Sequence, residues 1–96
     1  MTYLDDTAAQ IKARVTPDLL PDEDGIDDLF RLYALLARVK GTCVTAEDVH
    51  DAWSVWMLHQ HGEHSSIKPF EELDFSTRRE DLPFLNAIRD VAKCSA

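Results

Sequence analysis

Residues 26–41 read IDDLFRLYALLARVKG. At 100° per residue, Ile26, Leu29, Phe30, Leu32, Tyr33, Leu35, Leu36 and Val39 cover roughly 220° of a helix circumference, leaving Asp27, Arg31 and Arg38 as the solvated strip. A helix this apolar belongs in the middle of a small domain, touched from several sides. Its end is well marked. Arg38 and Lys40 suit the negative pole of the helix dipole, and Gly41 stops the helix.

The flanking segments follow the same period. Upstream, Leu4, Ala8, Ile11 and Val15 form a narrow stripe, with Thr2 as N-cap and Asp5 and Asp6 in the first turn. The stretch TPDLLPDEDG then breaks the helix with two prolines and a glycine and offers Leu19 and Leu20 as anchors. Downstream, Thr45 caps a helix with Asp48 at the capping-box position. Its inner face is Ala46, Val49, Ala52, Trp53, Trp56 and Met57, and Gly62 terminates it. PFEELD reads as one helical turn opened by Pro69, and Ser76 or Thr77 as the cap of another. Pro83 opens the last helix, with Phe84, Leu85, Ala87, Ile88 and Val91 inward. There is no β-type alternation and no repeat. The expectation is one all-α domain over residues 1–96, four main helices plus one or two short turns.

Composition narrows the functional classes. At 96 residues and 45% apolar, the chain builds one compact core without a deep internal cleft. Its apolar runs are too short to span a membrane, and an N-terminus reading MTYLDDTAAQ does not resemble a signal peptide, so a cytoplasmic protein is expected. Cys43 and Cys94 form no framework: Cys43 reads as a small, semi-buried residue and Cys94 as a tail thiol. Net charge is −8, and residues 1–30 set eight acids against Lys12 and Arg14. Phosphate-backbone binding needs the opposite balance, so direct nucleic-acid binding is not expected. An acidic decoy of a nucleic-acid enzyme, resting on the Asp/Glu-rich stretch 18–28, is the weakest of the readings.

Chemistry-bearing residues gather at 59–64, HQHGEH. His59 and His61 lie about 200° apart on a helix, and His64 stands beyond Gly62, so the three do not share the face that i, i+4 zinc ligands require. No metal and no cofactor is expected. Ser54 follows His50 by one helical turn, but no orienting acid or oxyanion-hole turn accompanies the pair, and no enzyme is expected. His50 lies on the edge of the Trp53/Met57 face. It either hydrogen-bonds a carbonyl of the facing loop or frames, with Trp53, a shallow groove for a planar ligand.

The order Val49-His50-Asp51-Ala52-Trp53, then His64, then Ile67-Lys68-Pro69-Phe70-Glu71-Glu72-Leu73 resembles the ryanodine-receptor-type (RyR) domain over residues 46–91. That module pairs V-H-D-x-W on a helix with H-P-x-L-x-P-Y/F-x-x-L. The chain departs from it in lacking a G-W-x-Y-G segment and in carrying Ser65 for the proline and Thr77-Arg78 for a Glu-Lys pair. Almost the whole chain, through Asp28–Ala37 with Lys40 and Gly41, Val44–Trp53 and Pro69–Asp74, is similar to small uncharacterised proteins of actinobacteria and their phages.

The resemblance and the composition together imply a small non-catalytic interaction module acting on a protein partner or as a homodimer. The alternative is a RyR-like domain binding a small nucleotide-like anion through His50, Trp53, His64, Lys68 and Phe70, with Lys68 as the only positive charge near that loop.

Overall fold

The computed structural model describes residues 2–20 and 22–94, the latter without the Cys94 side chain. Pro21 and the Cys94 thiol therefore lie outside the described residues. Five helices run in order: α1 (Tyr3–Ala13), α2 (Ile26–Lys40), α3 (Ala46–His61), α4 (Phe75–Arg79) and α5 (Leu82–Cys94). Short 3-10 turns at Pro17–Leu19, Gly41–Cys43 and Phe70–Glu72 join them, and no strand forms among the described residues. The all-α expectation holds. No described helix is long and apolar enough to cross a membrane.

Local chemistry sets the helix ends. Thr2 and Asp5 form a reciprocal capping box on α1, and Thr45 and Asp48 form another on α3, where Lys40 also holds the Asp48 carboxylate at 2.9 Å. Aspartate thus serves at a position that glutamate usually fills. Gly62 takes φ 81 after α3, a left-handed value that a β-carbon disfavours. Two caps differ from the sequence reading. Asp74, not Ser76 or Thr77, caps α4 by accepting from the Thr77 N–H at 2.8 Å, and Pro69 flanks its 3-10 turn instead of opening it. A carboxylate offers more acceptor capacity than the hydroxyl of Ser76, which itself donates to Asp74.

One continuous core joins α1, α2, α3 and α5. Ala8, Ile11 and Val15 come from α1 and its exit, Val49, Ala52 and Trp56 from α3, and Leu85, Ala87, Ile88, Val91 and Ala92 from α5. α2 sits among them and touches α1, α3 and α5. It contributes Leu29, Phe30, Tyr33, Ala34 and Ala37, an arc of about 140° at 100° per residue. Leu35 and Val39, assigned inward from the sequence, are 47% and 66% exposed. The reason is a shortage of neighbours: among the described helices α1, α3 and α5 pack on α2, and this side of it is left open.

Cys43 is exposed, in contrast to its semi-buried assignment, because the 3-10 turn carrying it lies at the surface and Val44 takes the buried place. Leu20 packs on the core, whereas Leu19 remains largely exposed.

The acidic stretch is tied down by the end of α3. The Trp56 indole N–H donates to the Gly25 carbonyl at 2.9 Å, Gln60 donates to the Asp24 carbonyl, and His61 Nε2 meets the Glu23 carboxylate at 2.7 Å. Gly25 has φ 90, and a β-carbon there would fall 2.6 Å from the Gln60 side chain.

Ile88→Ala, at a site with no exposure, lowers unfolding stability by about 2–5 kcal/mol. Leu35→Ala changes it by no more than about 0.5 kcal/mol. Urea denaturation of the two variants checks that α5 is buried at Ile88 and that the Leu35 side of α2 is open.

Candidate functional site

α3 places His50 one turn before Ser54 and one position from the buried Val49, with the ring turned toward the following loop. The side chain is only 3% exposed, deeper than the boundary position read from the sequence. Its Nε2 lies 2.7 Å from the Lys68 carbonyl oxygen. The loop after Gly62 therefore folds back on α3, as the sequence reading required, and the carbonyl partner expected for His50 is present.

That contact also assigns the imidazole. A carbonyl only accepts, so Nε2 carries the proton and donates. Ser54 Oγ lies 3.5 Å from the same nitrogen. A protonated Nε2 cannot take the hydroxyl proton, so this pair lacks the base that nucleophilic attack by Ser54 needs.

His50 stacks on Trp53 at 5.7 Å between ring centroids with 22° between planes, and His64 meets Trp53 edge-on at 5.4 Å. His64 is held in place by its own turn, its Nδ1 accepting from the Ser66 N–H at 3.0 Å. These three rings form one wall of a groove of about 680 Å³, within the usual range for small-ligand sites. Tyr33 and Leu29 of α2 and Pro83 and Phe84 of α5 also line it, together with Asp18, Leu19, Arg79, Glu80 and Asp81.

The five residues singled out in the sequence do not converge. His50, Trp53 and His64 line this groove, whereas Lys68 and Phe70 line a shallower depression with Glu47, Asp51 and Ser54. The His50 ring stands 6.2 Å from the Phe70 ring. Lys68 gives its carbonyl to His50 while its side chain is exposed. The Asp74 carboxylate, held low by hydrogen bonds from Thr77 and Ser76, also feels the Lys68 charge. Phe70 is gripped by Arg78, whose guanidinium lies 5.2 Å from the Phe70 centroid and 5.5 Å from that of Phe75, and which donates to the Glu71 carbonyl at 2.6 Å.

The histidine cluster is likewise taken apart. His61 turns to Glu23 and packs edge-on against Trp56, His64 turns to Trp53, and His59 is exposed. Among the described residues no three His, Cys, Asp or Glu side chains gather closely enough to hold a metal ion.

Residues 2–93 match a family described as a domain of unknown function, DUF7701. The chain belongs to the DUF7701 family. No curated protein and no solved structure matches it. For this DUF7701 chain, the groove's properties accordingly follow from its own residues.

Two groove residues with chemistry to offer, Tyr33 and Asp81, were not singled out as site residues in the sequence. Tyr33 reads there as core, and it is buried, yet it borders the groove and no described residue hydrogen-bonds its hydroxyl. Burial, and then the charge of Asp81, push its phenol far above the usual range, so it stays neutral. Asp81 is half-buried beside Phe84, also without a hydrogen-bond partner among the described residues. Desolvation raises its carboxyl to about 6, Glu80 adds to the rise, and His50 opposes it. The only advance signal for Asp81 was a carboxylate one position ahead of the apolar LPFL run.

Because the folded carboxyl of Asp81 titrates above its unfolded value, the native state holds the proton longer than the unfolded chain does. Its contribution is best below about pH 4 and is lost as pH rises through about 6. Asp81→Asn removes this loss. The variant is more stable than the parent by about 1–3 kcal/mol at pH 8 and gains nothing from that source at pH 3.5. Urea unfolding at the two pH values is the check.

Proposed function

We propose that this chain is a small non-catalytic binding module whose ligand site is the groove between the His50–Trp53–His64 wall and the start of α5. The observation that carries the reading is the pairing of His50 Nε2 with the Lys68 carbonyl. It orders the loop over Trp53 and turns a surface helix into one side of a concave, aromatic-lined site. The resemblance to RyR-type domains supports the same site, because the two histidines and the tryptophan of that pattern are His50, His64 and Trp53. The nucleotide-like anion that the resemblance implies finds less support, since Lys68 stands outside the groove. Non-catalytic action is supported by the protonated Nε2 facing Ser54.

A second reading, contact with a partner protein or a second copy, rests on other residues. Leu35 and Val39 form an exposed i, i+4 strip on α2, Val55 and Leu58 an i, i+3 strip on α3, and Phe75 is 79% exposed. It agrees with the resemblance to small actinobacterial and phage proteins, which fits a module working on a host protein. The acidic-decoy reading is weakened by pairing within the chain: Arg31 engages Asp5 and Asp28, Lys12 engages Asp27 and His61 engages Glu23.

A fragment screen by thermal shift and NMR, with planar probes of both charges, tests the groove. Binders move the Trp53 indole N–H resonance, and Trp53→Ala abolishes their effect while retaining a cooperative unfolding transition. A screen whose binders all act elsewhere, or which yields none, overturns the reading. Light scattering decides the second reading: a concentration-dependent mass that Val39→Asp or Val55→Asp abolishes supports it, and a monomer at all concentrations with no captured partner removes it.

A further inference from the structure

We propose that the groove selects a small organic cation, an amine or amidine on a flat apolar body, with Asp81 as its counter-ion and Tyr33 as a second acceptor. The inference rests on the groove being the ligand site and adds the charge class of what enters it.

Four features of the groove point the same way. Its lining is rich in rings: Tyr33 and Phe84, with centroids 5.7 Å apart, and Trp53 with its flanking imidazoles. Aromatic faces attract cations through their quadrupole and accept flat apolar bodies equally well. Its charged rim carries three carboxylates, Asp18, Glu80 and Asp81, against one guanidinium, Arg79. Two of its polar groups, the Tyr33 hydroxyl and the Asp81 carboxylate, have no hydrogen-bond partner among the described residues, and the charge of Asp81 acts on Tyr33. A half-buried carboxylate and a phenol oxygen lining the same groove, both able to accept, match a group that only donates. Finally, Lys68, the residue that would have recruited an anion, is directed elsewhere.

The carboxylate is a counter-ion only when ionised, so binding also depends on pH. Desolvation holds Asp81 near 6, and a cation seated beside it favours the ionised form. Asp18 from the first 3-10 turn, His50 of α3, His64 of the loop, Arg79 of α4 and Glu80 also face this space. The Asp81→Asn variant retains all of them, so any pH dependence that survives in it belongs to those groups.

The test uses the full chain, isotopically labelled, titrated with benzamidine, benzamide and benzoate, which share one ring and differ in charge. Benzamidine is expected to shift the backbone amides of Trp53, His64 and Asp81, with benzoate at least tenfold weaker. Asp81→Asn is expected to weaken benzamidine at least fivefold. The parent is expected to bind benzamidine at least threefold more tightly at pH 7.5 than at pH 5, a difference absent from the variant. Tyr33→Phe, which removes only the hydroxyl, is the second variant and weakens benzamidine by at least twofold. Benzoate or benzamide binding in the groove as tightly as benzamidine, or benzamidine binding unaffected by both variants, overturns the cation assignment and leaves the groove standing. No shift at these residues with any of the three probes removes the groove reading together with it.

Discussion

The hydrogen bond between the His50 ring and the Lys68 carbonyl is the contact on which the lower half of this molecule depends. α3 would otherwise end at Gly62 with Trp53 open to solvent and with the following segment unattached. By fixing the carbonyl of Lys68, the buried imidazole sets where His64, Pro69 and Phe70 lie. It also divides the surface into two concavities, one lined by Trp53 and His64 and the other by Lys68 and Phe70. A buried ring N–H without a partner carries a cost comparable to a lost hydrogen bond, so the Lys68 carbonyl answers a structural need of the buried His50 before anything else.

The groove that results combines two opposing demands. Leu29, Tyr33 and Phe84 place it against the core, which favours apolar groups, whereas Asp81 brings a carboxylate into the same space. Desolvation raises the proton affinity of that carboxyl, and His50 relieves this only in part. An ionised Asp81 at neutral pH therefore lowers the stability of the fold. The Asp81 carboxylate makes no hydrogen bond among the described residues, which sets it apart from those of Asp5, Asp48 and Asp74, which serve in helix caps.

Much of the architecture was legible in the sequence because its signals are local. Both capping boxes depend on residues three apart, and the stripe Ala8, Ile11, Val15 depends on helical period alone. The carbonyl partner of His50 was also legible, since a histidine at the edge of a buried face has few other ways to satisfy its ring. The errors share a different origin. Leu35 and Val39 have the period of core residues, but period does not count the neighbours available to cover a helix. Lys68 and Phe70 follow His64 closely in sequence, but alternate sides of an irregular segment cannot be assigned without its backbone path.

By itself, then, the sequence determined the helices, their caps and the fold class, because a helix is built from contacts within three or four residues. It also determined that Trp53, His50 and His64 would meet if the loop closed. Only the tertiary structure decided that Tyr33 and Asp81, far apart in the chain, line the same groove as these three, and that Lys68 does not. Those facts depend on how α5 lies against α2 and on which way one irregular loop turns. Neither is written in periodicity, charge or spacing, and both decide the chemistry of the groove.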